Sequence, residues 1–113
     1  MPTVSCRYSG ELRCVATHER SGAVLMTDAP IDNAGKGEAF SPTDLVATAL
    51  ATCMLTIMGI TANSRGWSIE GSTADVDKQM TETGPRRVET LRVHLKLAQH
   101  LSEEQRSLLQ RVA

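Results

Sequence analysis

The chain has 113 residues, 41% of them hydrophobic and 22% charged, with 12 basic against 13 acidic side chains for a net charge of −1. That composition fits one soluble domain spanning 1–113 and argues against disorder, collagen and coiled coil. The balanced charge offers no broad positive field for phosphate backbones, and Phe40, Trp67 and Tyr8 are too few for a base-stacking platform, so no nucleic-acid partner is expected.

Val4, Cys6 and Tyr8 alternate with Thr3, Ser5 and Arg7, which predicts a first strand. Ser9-Gly10 marks a turn, and Leu12, Cys14 and Ala16 alternate again as a second strand. A polar hairpin loop, His18 to Gly22, leads to a short third strand over 23–27, so the three strands read as a meander. Asp28–Phe40 carries Pro30, Asp32, Asn33, Gly35 and Gly37 and reads as a long irregular loop. Loops of that length in a small domain commonly contribute to a site.

The strongest local signal follows. Ser41 fits an N-cap, Pro42 the first helical position and Asp44 the returning carboxylate of a capping box. Leu45, Val46, Ala49, Leu50, Cys53, Met54, Ile57, Met58 and Ile60 then recur at helical spacing, with only Thr48, Thr52 and Thr56 as a polar side. A helix with so little charge is expected to be buried nearly all round. Asn63-Ser64-Arg65-Gly66 supplies its stop, with Gly66 as a left-handed cap.

Trp67–Met80 is amphipathic with a change of phase near Gly71, which predicts a bent or bulged strand. Thr83-Gly84-Pro85 is a hairpin turn. Arg86–Leu97 then alternates, with Leu91, Val93, Leu95 and Leu97 inward and Arg92, His94 and Lys96 outward. A second helix opens on a Ser102/Gln105 capping box and shows Leu108, Leu109 and Val112 as its apolar face. Its stop at Ala113 without a cap predicts a further C-terminal segment.

Cys6, Cys14 and Cys53 are odd in number and show no C-x-x-C spacing, which predicts free thiols in reducing cytoplasm. Pro2–Gly10 is too polar for a signal peptide, and the apolar stretch Leu45–Ile60 falls short of the roughly 20 residues of a membrane span, so no membrane association is expected. Cys6 and Cys14 are expected to pack inward rather than to form a redox pair. His18, His94 and His100 lack metal-ligand spacing, and Gly35-Lys36-Gly37 lacks the phosphate-loop pattern, so no metal or cofactor is implied.

Cys53 is the residue of most chemical interest. A thiol inside an apolar helix is by default an inert small hydrophobe, and it becomes a nucleophile only if a cation stabilises the thiolate. The arginine candidates are Arg7, Arg13, Arg20, Arg65, Arg86 and Arg87, each also readable as a solvated strand or turn charge. Arg20 is set apart by its place at a hairpin tip. Glu38, just before the helix, is either a solvated loop charge or a carboxylate that orients an arginine.

The segment Gly35–Cys53 and its continuation Met54-Leu55-Thr56-Ile57-Met58-Gly59-Ile60 resemble the OsmC/Ohr family of osmotically inducible protein C and organic hydroperoxide resistance proteins, in its OsmC-like branch. The order of elements is similar too. The resemblance implies an α+β fold with antiparallel sheets packed on a long buried cysteine-bearing helix. It also implies an intertwined homodimer with active sites at the interface. The implied chemistry is reduction of an organic hydroperoxide by a cysteine thiolate, with an external dithiol as reductant.

Cys53 matches the attacking cysteine, Arg20 is a match for the arginine that holds the thiolate, and Glu38 is the candidate to hold the arginine. The sequence departs from the family at Thr43, where a glutamate is usual. Either Asp44 or Glu38 substitutes or the arginine is unsupported, and Glu38 is the better candidate if the capping box takes Asp44. The family's resolving cysteine matches neither Cys6 nor Cys14. The other function these features allow is a non-enzymatic protein that binds a small apolar ligand or senses redox state on the same fold.

Overall fold

Residues 1–113 are all described by the computed structural model, in the order β1 (Val4–Gly10), β2 (Arg13–His18), β3 (Val24–Asp28), a 3-10 turn (Ile31–Asn33), α1 (Pro42–Ser64), β4 (Thr73–Met80), β5 (Val88–Lys96) and α2 (Glu103–Val112). The mixed α+β class with antiparallel sheets is the one the sequence predicts. Two compact units partition the chain, Met1–Leu45 and Val46–Ala113.

The first unit is the meander β1-β2-β3 with the loop that follows it. The β1–β2 turn holds three consecutive residues at positive φ, Gly10 at 93°, Glu11 at 56° and Leu12 at 63°. Two of them carry side chains, a strain on the order of 1–2 kcal/mol each that the surrounding bonds must offset. Those bonds include Leu12 N–H to the Tyr8 hydroxyl at 3.2 Å and Ala29 N–H to the Leu12 carbonyl at 3.2 Å.

The expected alternation of β1 is present, but its apolar face is not covered within the chain. Val4, Cys6 and Tyr8 are exposed, so Cys6 is not the packed thiol that the pattern predicts, and Cys14 is only half-buried. The register sets Cys6 opposite Ala16 and Cys14 opposite Tyr8. The two thiols are therefore diagonal neighbours, at a spacing of roughly 7–8 Å that exceeds disulfide reach. Val24 and Met26 are exposed on the other face of β3. The buried residues of this unit are Thr27, Asp28 and Ser41, all polar.

Loop 28–40 is closed at its neck by Asp28 N–H to the Phe40 carbonyl at 3.0 Å, which makes it a compact Ω-type loop rather than an open one. Gly35 is required by space. A Cβ built there would lie 1.7 Å from the Ala29 carbonyl oxygen.

The start of α1 follows the sequence closely. The Ser41 Oγ accepts from Asp44 N–H at 3.1 Å, and Asp44 Oδ2 accepts from Ser41 N–H at 2.9 Å, a reciprocal cap. Its far end closes as a Schellman motif. Trp67 N–H reaches the Ala62 carbonyl at 2.9 Å and Gly66 N–H the Asn63 carbonyl at 3.2 Å, with Gly66 at a φ of 74°.

In the second unit Met58 and Ala62 of α1 form a core with Leu97, Leu101 and Leu109, flanked by Leu55, Trp67, Ile69 and Leu95. Leu91, Val93 and Leu95 of β5 are half-buried while Arg92, His94 and Lys96 are exposed, as the alternation predicts. Strand β4 begins at Thr73, not Trp67. Residues 68–72 form a turn through Ser72 N–H to the Ile69 carbonyl, with Gly71 at a φ of 88°, and this turn is the source of the phase change. The α2 capping box is complete, with Ser102 Oγ accepting from Gln105 N–H and Gln105 Oε1 from Ser102 N–H.

One expectation for α1 fails within the single chain. Ala47, Ala51, Met58 and Ala62 are buried, but Val46, Leu50, Cys53, Ile57 and Ile60 are exposed at alternating spacings of four and three. They form a continuous apolar stripe along one side of the helix. At 23 residues and a peak mean hydropathy of 1.9, α1 is long and apolar enough to cross a membrane, so it exceeds what Leu45–Ile60 suggests. Met58 and Ala62 in its second half are fully buried and pack against Leu95 of β5 and Leu109 of α2.

Candidate functional site

Cys53 lies midway along α1 in the second unit, with its thiol on the exposed stripe between Leu50 and Ile57. A reactive thiol needs access and a cation. Access is present in the chain.

The cations expected to serve it belong to the first unit. Arg20 stands exposed in the β2–β3 turn, between the His18 carbonyl and the Gly22 N–H that bonds it at 2.8 Å. Glu38 does not engage Arg20. Its Oε1 forms a close ion pair with Nη2 of Arg13, the first residue of β2. Glu38 thus pairs with an arginine while its side chain stays largely in solvent, and that arginine is Arg13 rather than the hairpin-tip Arg20.

The same Nη2 lies 3.4 Å from Oδ2 of Asp28, the last residue of β3. Arg13 and Asp28 are direct cross-strand partners, so the β2–β3 register alone brings them together. Asp28 Oδ2 also accepts from the Glu38 backbone N–H at 3.0 Å, which ties the loop to the strand end. This backbone bond, above all, holds the Asp28 carboxyl below its ordinary value of 3.8, helped by the positive charges of Arg13 and Lys36 and opposed by burial. Arg13 Nε and Asp28 Oδ1 are buried without hydrogen-bond partners, so the pair makes a single-point contact rather than a two-bond fork.

Arg13, Asp28 and Glu38 form a built cluster that sequence reading ranks low. Arg13 reads there as one solvated strand charge among six, and Asp28 as the first residue of a loop. The usable signal is register. Counting outward from the His18–Ala23 hairpin bond places Arg13 against Asp28.

The second unit also has an open cleft of about 570 Å3, lined by Arg65, Trp67, Glu103, Glu104, Leu108 and Arg111 among others. The Arg65 guanidinium sits 5.5 Å from the Trp67 ring centroid.

Residues 35–113 match the family model described as OsmC-like protein. No curated protein matches the chain. A solved structure from Psychrobacter arcticus 273-4, named for osmotic stress induction and a detoxification response, is 46% identical over 99% of this chain and 81% of its own, with a TM-score of 0.92. An organic hydroperoxide resistance protein OsmC from Legionella pneumophila has a TM-score of 0.72 at 16% identity, over 96% of this chain and 78% of its own. One from Vibrio cholerae O1 biovar eltor, solved with captopril in one of its active sites, has a TM-score of 0.68 at 21% identity, over 99% and 78%. These last two are similar in fold.

Proposed function

The chain belongs to the OsmC-like protein family, and from that premise we propose that it is a thiol-dependent peroxidase that reduces organic hydroperoxides in defence against oxidative stress. The observation that carries this reading is the place of Cys53. It is the thiol of the family-matching helix, and it is exposed among apolar neighbours suited to an organic peroxide.

In the reaction the Cys53 thiolate sulfur attacks the distal oxygen of the hydroperoxide. The O–O bond breaks, the alkoxide takes up a proton and leaves as alcohol, and sulfur retains one oxygen as sulfenic acid. An external dithiol restores the thiol. Its first sulfur displaces water from the sulfenic acid, and its second displaces Cys53 and closes the reductant's own disulfide.

The thiolate needs a positive partner. We assign that part to Arg13, because Arg13 is the arginine that Glu38 holds, and Arg20 becomes the competing candidate. The exposed stripe of α1 and the uncovered sheet of the first unit support one OsmC-like domain acting as half of a homodimer, with the second copy covering Cys53. Free thiols suit the reducing cytoplasm.

The test is consumption of cumene hydroperoxide with dithiothreitol as reductant. Cys53→Ser abolishes turnover on this reading, and wild-type activity in that variant removes Cys53 as nucleophile. Arg13→Ala and Arg20→Ala separate the two arginines. Thr43, standing where the family glutamate is usual, favours a second reading as a binding or redox-sensing protein. A Cys53 thiol that titrates at or above the ordinary cysteine value, with no peroxide turnover, decides for it.

A further inference from the structure

We propose that Asp28 is the positioning residue of this site. It fixes the Arg13 guanidinium at the end of β2, while Glu38 is the outer partner from which Arg13 can turn toward the thiolate. The proposal rests on the reading of Cys53 as the peroxidatic thiol.

Arg13 is held by two carboxylates in different surroundings. The Asp28 side chain is 1% exposed and the Glu38 side chain 61%. An ion pair reaching into solvent is weakened by water and salt and exchanges readily, whereas a buried carboxylate has no water to turn to. One carboxylate cannot both fix a guanidinium and give it up. Two with such unequal exposure divide those tasks.

The backbone around Asp28 is over-determined. Its N–H is bonded to the Phe40 carbonyl and its Oδ2 to the Glu38 N–H, so strand end, loop neck and carboxylate move as one piece. Arg13 is fixed from the other side. It directly follows the strained Gly10-Glu11-Leu12 turn, which the Leu12 carbonyl locks to Ala29 N–H, the residue after Asp28. Backbone strain held by its surroundings in this way is typical of positioned functional groups. The unmatched Arg13 Nε and Asp28 Oδ1 show that the guanidinium is not saturated by its present partners. A fully forked arginine would have less reason to reach a third group.

The test combines 15N NMR of the Arg13 guanidinium, assigned with Arg13→Lys, and the pH dependence of Cys53 alkylation by iodoacetamide. Asp28→Asn is expected to free rotation of the Arg13 guanidinium. It should also leave about tenfold less Cys53 thiolate at pH 7. Glu38→Gln is expected to weaken the site while leaving the Arg13 guanidinium restrained. Asp28→Asn added to Arg13→Ala has no further effect on the thiol, because Asp28 acts through Arg13.

Unchanged Arg13 signals and an unchanged alkylation profile in folded Asp28→Asn overturn the proposal, as does an additive effect in the double variant. If Asp28→Asn does not fold, Asp28→Glu keeps the charge and lengthens the arm, and must displace the Arg13 signals for the proposal to stand. A wild type that consumes no hydroperoxide, with Asp28→Asn still loosening Arg13 and lowering the thiolate fraction, removes the peroxidase reading and leaves the positioning of Arg13 intact.

Discussion

Replacing Ile60 by Asp probes the proposed second copy without touching the core of its own chain. Ile60 is 65% exposed at the end of the α1 stripe, where Val46 is 51%, Leu50 38% and Ile57 38% exposed. Together these uncovered fractions amount to nearly two whole aliphatic side chains, or about 3–6 kcal/mol per copy if a partner covers them. Ile60 alone accounts for about 1–2 kcal/mol of that. In a two-fold dimer each substitution counts twice, so losing the Ile60 contribution weakens association by about 2–4 kcal/mol before any penalty for burying a carboxylate. Since every 1.4 kcal/mol is about tenfold, the dimer dissociation constant should rise at least about thirtyfold. Sedimentation equilibrium reads this directly, and circular dichroism should show an unchanged fold. A dimer of wild-type affinity in Ile60→Asp refutes the assignment of the stripe to the interface, and so does a wild type that stays monomeric at micromolar concentration.

Three further outcomes follow from the local structure. Gly35→Ala forces a Cβ against the Ala29 carbonyl and should lower stability by about 3 kcal/mol or more in urea unfolding; a change under about 0.5 kcal/mol means that the loop is looser than its bonds imply. Ser102→Ala removes the acceptor for Gln105 N–H at the start of α2 and should cost about 0.5–2 kcal/mol by the same measurement. The depressed Asp28 carboxyl gives stability that is fully present above its ordinary value of 3.8 and is lost as pH falls from there through the lower folded-state value, so acid unfolding of Asp28→Asn should lack that part of the pH dependence seen in the wild type.

Much of the fold is legible in the sequence because its signals are local. Ser41-Pro42-Thr43-Asp44 and Ser102 with Gln105 specify helix starts through bonds made within four residues, and Gly66 specifies the stop of α1 in the same way. The alternation of Leu91, Val93, Leu95 and Leu97 likewise needs only the two-residue period of a strand. What alternation cannot say is whether an apolar face finds a cover. Val4, Cys6 and Tyr8 have the pattern of a buried face and are exposed, and α1 has the composition of a helix buried all round and is covered on one side. The Arg13–Asp28–Glu38 cluster is hidden for another reason. Its members are 15 and 25 residues apart in sequence, and they meet through strand register and a loop that closes on itself.

On the proposed reading of the site, the departure at Thr43 moves the carboxylate support to other elements. Asp44, one residue on, is engaged in the cap of α1, where its Oδ2 accepts from the Ser41 N–H. The carboxylates that hold an arginine here come instead from a strand end and a loop, Asp28 and Glu38. A glutamate carried on a helix keeps its place whatever a neighbouring loop does. Glu38 keeps its place only while the loop is folded, which depends on the Asp28–Phe40 neck and on the room that Gly35 leaves for the Ala29 carbonyl. The guanidinium in this chain is therefore coupled to the folding of loop 28–40. A substitution that opens the loop without touching any charge should act on Cys53 chemistry as removal of the Glu38 charge does.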